Sequence, residues 1–217
     1  MPTPWPACWR ALEPSNPSAP AQDGDIINID VTVFLNGYHG DTSRTFLVGN
    51  VDPEARKLVA VTEEALARAI AICKPGVPFR QIGTVINDYA DSHALGTVKA
   101  FVGHGVGRMF HSKPTIMHCR NNEEGVMAAG QTFTIEPMLT LGAVRETCWS
   151  DEWTMVTADG SWSAQFEHTL LITPGGCEVL TVTGAGKGAA LKPSNASTAA
   201  AAAAGGAAKP KGFGAKR

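Results

Sequence analysis

Five residues able to bind a metal ion, Asp30, Asp41, His104, Glu136 and Glu167, stand in the short stretches IDVT, HGDTS, GHGVG, TIEPM and QFEHT. This constrains the fold most, because a carboxylate built into an apolar, strand-forming segment cannot be buried ionised unless a cation or a proton meets it. Four carboxylates can bridge two divalent cations and offset most of their charge, while one neutral imidazole leaves coordination positions for water and substrate. The set points to a two-metal hydrolase.

The first two acids can be related by geometry. Ile26 to Leu47 reads as a β-hairpin turning at Asn36-Gly37, a dipeptide that accepts the positive φ angles of a type I′ turn. Asp41 then faces Thr32, and Asp30, on the same face as Thr32, becomes its diagonal neighbour with β-carbons roughly 7 Å apart. The competing reading is a solvated hairpin edge.

His104 lies in FVGHGVG, where glycines let a metal or peptide approach the backbone, and His111 follows seven residues later. A lone loop histidine is commonly a surface or hydrogen-bonded residue, so His104 gains weight only from the other four. Glu136 ends the run Phe133-Thr134-Ile135 and precedes Pro137, which predicts a strand edge or end. Glu167 interrupts the apolar segment from Ala164 to Ile172, where an unpaired charge would cost several kcal/mol.

Between the hairpin and the glycine loop, Asp52-Pro53-Glu54 caps a helix expected to run to about Cys73, where Lys74-Pro75-Gly76 stops it. A second helix is expected from Pro78 to His93 with Phe79, Ile82, Val85, Ile86 and Tyr89 on its core face. Strands carry the remaining ligands, so the class is α+β, with helices covering a curved antiparallel sheet whose other face holds the metals.

With 217 residues, 44% of them hydrophobic, one catalytic domain over residues 23–182 is expected, between an unstructured leader (1–22) and a disordered tail (183–217). The leader is proline-rich, without a helical or alternating apolar period. The tail is rich in Ala, Gly and Lys. It carries six basic residues and no acid, against twelve basic and twenty acidic residues in the remainder. Such a tail could touch ribosomal RNA weakly, although dispersed charges favour a plain solvated extension, and no base-reading motif accompanies it. Five cysteines, odd in number and without CxxC spacing, argue against a disulfide framework and for a reducing compartment. Cytoplasm is expected, with an organelle as alternative. No apolar run is long enough to cross a membrane as a helix.

The segments GDIINIDVTVFLNGYHGDTSRTF, FVGHGVGRMFHSKP, QTFTIEPML and SAQFEHTLLIT closely resemble type I methionine aminopeptidases over about Asp23 to Thr181. The resemblance implies the pita-bread fold, with its first half incomplete here, and a dinuclear centre. Asp30 would chelate one metal, Asp41 and Glu167 would bridge both, and His104 and Glu136 would complete the second. Cobalt, manganese, iron or zinc would serve. A metal-activated water would attack the carbonyl after the N-terminal methionine of a nascent polypeptide, with Glu136 relaying a proton and His111 contacting the scissile peptide. Phe110 and Trp153 match the walls of the methionine pocket, where a polarizable thioether packs well, though either could equally be plain core.

The family's substrate-binding histidine lies eighteen residues before its first metal aspartate. That spacing reaches Leu12, in a leader without histidine, so a truncated isoform or a misassembled gene is expected. The alternatives to an active aminopeptidase are an impaired truncated isoform or a pita-bread binding protein, and, further off, an X-Pro aminopeptidase.

Overall fold

β1 (Ile26–Leu35) and β2 (Tyr38–Leu47) form the hairpin, turning at Asn36 and Gly37 with φ of 52° and 85°. The turn sets the register: Thr32 pairs with Asp41 and Asp30 with Ser43. The computed structural model describes residues 20–182, so nearly all of the expected leader and the whole expected tail, with Leu12, lie outside the described residues.

α1 (Pro53–Ala71) starts where the Asp52 carboxylate accepts the Glu54 N–H at 2.7 Å and Pro53 fills the first turn. It ends about two residues before the expected Cys73. α2 (Arg80–Ser92) begins two residues after the expected Pro78, because Pro78 is taken up in a bridge to Val126. Its core face is rotated from the expected one. Phe79, Ile82 and Ile86 are buried as read, but Gly83 and Ala90 are buried as well, while Val85 and Tyr89 are only half-buried. Gly83 is the cause: a β-carbon there would collide with the backbone carbonyls of Cys119 and Met117, so the helix rests on the chain at that point. Tyr89 turns outward, its ring 4.2 Å from the Arg68 guanidinium.

The remaining strands follow in order as β3 (Gly96–Thr97), β4 (Gly103–Gly105), β5 (Ser112–Ile116), β6 (Thr132–Ile135), β7 (Met138–Thr140), β8 (Glu146–Cys148), β9 (Met155–Thr157), β10 (Ser163–Gln165), β11 (His168–Thr173) and β12 (Gly176–Val179). All pair antiparallel, in a five-stranded sheet ordered β12-β11-β6-β4-β5, a three-stranded sheet β10-β7-β3 and the hairpin β8-β9. The single curved sheet of the sequence reading is thus divided into short sheets. Pro137, without an N–H, separates β6 from β7, and a register shift at His104/Gly105 bends β4.

β2 is joined to the rest by side chains as much as by backbone. Ser43 and Glu167 exchange N–H···O bonds of 3.3 and 2.9 Å, the Thr45 hydroxyl donates to the Gln165 carbonyl at 2.7 Å, and the Thr169 hydroxyl donates to the Asp41 carbonyl at 2.8 Å.

Strand alternation then sorts the faces. Phe133, Ile135, Ala164, Phe166, Leu170 and Ile172 are buried in one cluster with Leu58, Ile70, Ile82 and Ile86 from the helices. The residues between them, Thr134, Gln165, Glu167 and Thr169, turn to the opposite face. That face is the candidate site.

Candidate metal centre

The inward face of the hairpin carries Asp30, Thr32 and Asp41. The Thr32 hydroxyl donates to Asp41 Oδ1 at 2.8 Å, leaving Asp41 Oδ2 free to point across the site, 3.7 Å from His104 Nε2. His104 Nε2 is also 3.6 Å from Glu136 Oε1. Asp41, His104 and Glu167 each offer a ligand atom, all within 4.8 Å of one another. Three strand systems therefore converge: β2 brings Asp41, β4 brings His104, and the link from β10 to β11 brings Glu167. Glu136 stands in the Glu136-Pro137 link that ends β6, the strand end expected from the proline.

The site is buried and acidic. Burial is the largest cause raising each carboxyl: Glu136 goes to about 8 and Asp30 to about 6, while Asp41 moves up and Glu167 well up. The neighbouring carboxylates add to the rise of Asp30, Glu136 and Glu167, and the Thr134 hydroxyl, 2.8 Å from Glu136 Oε1, opposes it at Glu136. Burial, and then His111, lower His104 to about 4, so its imidazole is neutral. Nδ1 lies 3.3 Å from the Gly105 carbonyl, which places the proton there and leaves a lone pair on Nε2 facing the acids. Glu167 Oε1 is buried with no hydrogen-bond partner among the described residues.

An orphaned carboxylate oxygen amid three further acids and one neutral imidazole nitrogen is a donor set that fits divalent cations. Protons are the only other means of relieving the repulsion.

His111 stacks edgewise on His104, with centroids 4.3 Å apart, and lies 3.8 Å from the Phe110 ring. Burial lowers its pKa, while the Asp41 charge pulls the other way. Phe110 bridges to His39 at 5.4 Å, forming one wall beside the acids. Trp153 is 48% exposed in the connection between β8 and β9, with no ring contact among the described residues.

Two histidines escaped the sequence reading. His118 is 2% exposed, and its Nε2 accepts the Glu136 N–H at 3.0 Å, fixing the backbone that carries this acid. Its burial lowers its pKa to about 4, which keeps that acceptor available. His39 receives no ligand role, but its Nδ1 is 3.0 Å from the Gly107 carbonyl and its N–H donates to the same oxygen at 2.8 Å, tying the hairpin to the glycine loop. The seven-residue spacing of His104, His111 and His118 was the signal available for the first of them.

The model of metallopeptidase family M24 matches residues 7–174. Methionine aminopeptidase 1D, chloroplastic/mitochondrial, of Arabidopsis thaliana is 63% identical over 164 residues, 76% of this chain and 47% of that protein. The chain thus spans about half the length of the curated relatives it matches. Among solved structures, the methionine aminopeptidase of Rickettsia prowazekii superposes with a TM-score of 0.73 at 42% identity, covering 76% of this chain and 67% of that one. The prolidase of Pyrococcus furiosus gives 0.59 at 27%, covering 75% and 43%. The helices over antiparallel sheets are the pita-bread arrangement these proteins share. With the match extending over well beyond half of its length, the chain belongs to metallopeptidase family M24.

Proposed function

We propose that the chain carries the metal centre of a methionine aminopeptidase, hydrolysing the peptide bond after the initiator methionine of nascent polypeptides. The observation that carries this reading is the convergence of Asp41, His104 and Glu167 within 4.8 Å, with Glu136 beside His104. The higher identity and TM-score to methionine aminopeptidases than to the prolidase favour methionine over X-Pro substrates.

In this reading Asp30, Asp41, His104, Glu136 and Glu167 would hold two divalent cations, cobalt, manganese, iron or zinc. The cations supply Lewis acidity toward water and the scissile carbonyl. Glu136, whose Oε1 lies beside His104 Nε2, takes up and returns the proton. His111, half-buried next to His104, orients the scissile peptide. Phe110 supplies an apolar wall for the methionine side chain. Trp153, in the connection between β8 and β9, supplies a second aromatic wall in this reading.

The proposed division is a catalytic domain over residues 23–182 with a leader before it and a basic tail after it. The tail adds weak, salt-sensitive attraction to ribosomal RNA. The Arabidopsis relative is named chloroplastic/mitochondrial, so the organellar alternative stands beside the cytoplasmic one, and imaging of a fluorescent fusion at the C-terminus separates them.

The test is release of methionine from Met-Gly-Met-Met by the purified chain loaded with cobalt or manganese, beside Asp41→Asn. Metal-dependent release that disappears in the variant is the expected outcome. Soluble, metal-loaded protein without release would sink the aminopeptidase reading and leave the impaired isoform or binding protein.

A further inference from the structure

Cys73 and Cys177 take no part in the metal centre, yet the fold brings them together from about a hundred residues apart in sequence. Cys73 follows the last turn of α1 and is buried, its Sγ donating to the Ala69 carbonyl at 3.2 Å. Cys177 lies on β12, the edge strand of the five-stranded sheet, half-buried, its Sγ donating to the Ile70 carbonyl at 3.4 Å. Both sulfurs therefore sit on consecutive carbonyls of one helical turn, and the two thiols are close enough to share a hydrogen bond. All four cysteines among the described residues are free, and Cys119 and Cys148 share no such contact.

We propose that Cys73 and Cys177 are a reversible dithiol–disulfide site that fastens the end of α1 to the sheet edge, with a small disulfide of the glutathione class as the oxidant. The half-exposed Cys177 meets the oxidant first. Its thiolate attacks one sulfur of the small disulfide, the S–S bond breaks, and one small thiol leaves with the electron pair and a proton. Cys73 then loses its proton, attacks Cys177 Sγ in the mixed disulfide and expels the second small thiol. Two protein thiols are oxidised by two electrons, and one small disulfide is reduced to two thiols. Once Cys177 is a thiolate, the Cys73 S–H can turn from the Ala69 carbonyl to Cys177 Sγ, which favours that thiolate and holds the proton on Cys73.

The bond would close a loop of about a hundred residues, the range in which a cross-link most restricts the unfolded chain. Tm should therefore rise by roughly 5 °C or more on oxidation and return with reductant. The site stands apart from the proposed aminopeptidase chemistry and does not depend on it.

The experiment treats the folded, fully reduced full-length chain with glutathione disulfide, blocks the remaining thiols, and digests so that Cys148 and Cys177 fall on separate peptides. The expected result is a linked Cys73–Cys177 peptide, two hydrogens lighter than its reduced halves, with the Tm rise absent in Cys177→Ser. In Cys73→Ser, Cys177 should instead retain a glutathione adduct. Native protein that yields only separate adducts, or linkages involving other cysteines in preference, overturns the proposal. Because the linked peptide is read on the unaltered chain, a variant that fails to fold leaves the test intact.

Discussion

Thr134 serves two site residues at once: its hydroxyl donates to Glu136 Oε1 at 2.8 Å and accepts the His104 N–H at 3.0 Å. Thr134→Val keeps the shape and removes both bonds, so metal affinity measured by calorimetry should fall roughly 10- to 100-fold, with the fold retained. The four acids give a second prediction. In the metal-free chain Glu136, raised to about 8, is protonated at neutral pH when folded and ionised when unfolded, and Glu167 is shifted in the same direction. Stability from such groups is complete below the unfolded pKa and is lost as pH rises through the folded one. His104 and His118, lowered to about 4, act in the opposite sense only below about 6.5. Tm in the presence of a chelator should thus fall between pH 6.5 and 8, and manganese should restore most of it at pH 8. A flat profile would mean that the acids are not held protonated. At this scale the ligands were legible because a carboxylate in an apolar strand is an anomaly visible in a short window. His118 was not, since its meaning lies in a backbone N–H eighteen residues away.

Elements were legible where local chemistry decides them. The Asn36-Gly37 turn fixed the hairpin register, and Asp52-Pro53 fixed the start of α1. The start and the face of α2 moved because tertiary contacts intervened, at Pro78 with Val126 and at Gly83 with the carbonyls of Cys119 and Met117. The glycines of GHG have a similar meaning: a β-carbon on Gly103 would strike the Thr134 carbonyl, and one on Gly105 the Lys113 carbonyl. Each contact is backbone, which cannot swing aside. Gly103→Ala should therefore destabilise by about 1–3 kcal/mol in chemical denaturation and displace His104, lowering metal affinity as well. By contrast, Gly130→Ala should cost stability through its φ of 89° alone and leave metal affinity unchanged, since nothing lies near its β-carbon.

Across the whole molecule, one side of the hairpin stands apart from the core. Ile29, Val31, Val33 and Leu35 share the face opposite Asp30 and are 45–71% exposed, with Phe34 exposed beside them at the tip. A contiguous apolar face of this kind drives association. Val31→Lys with Val33→Lys should reduce light scattering of concentrated protein while changing Tm by less than about 1 °C, because neither side chain is buried. An unchanged scattering profile would show that association, if present, uses another surface. The same hairpin separates what each level of description can decide. The sequence by itself determined the class, the hairpin register and the five candidate ligands, because turn chemistry, helix caps and misplaced carboxylates act over a few residues. Only the tertiary structure decided that β2 closes onto β10 and β11 through Ser43, Thr45 and Thr169, and that His118 braces Glu136. Those outcomes depend on hydrogen bonds and packing between segments up to 128 residues apart, which no local pattern encodes.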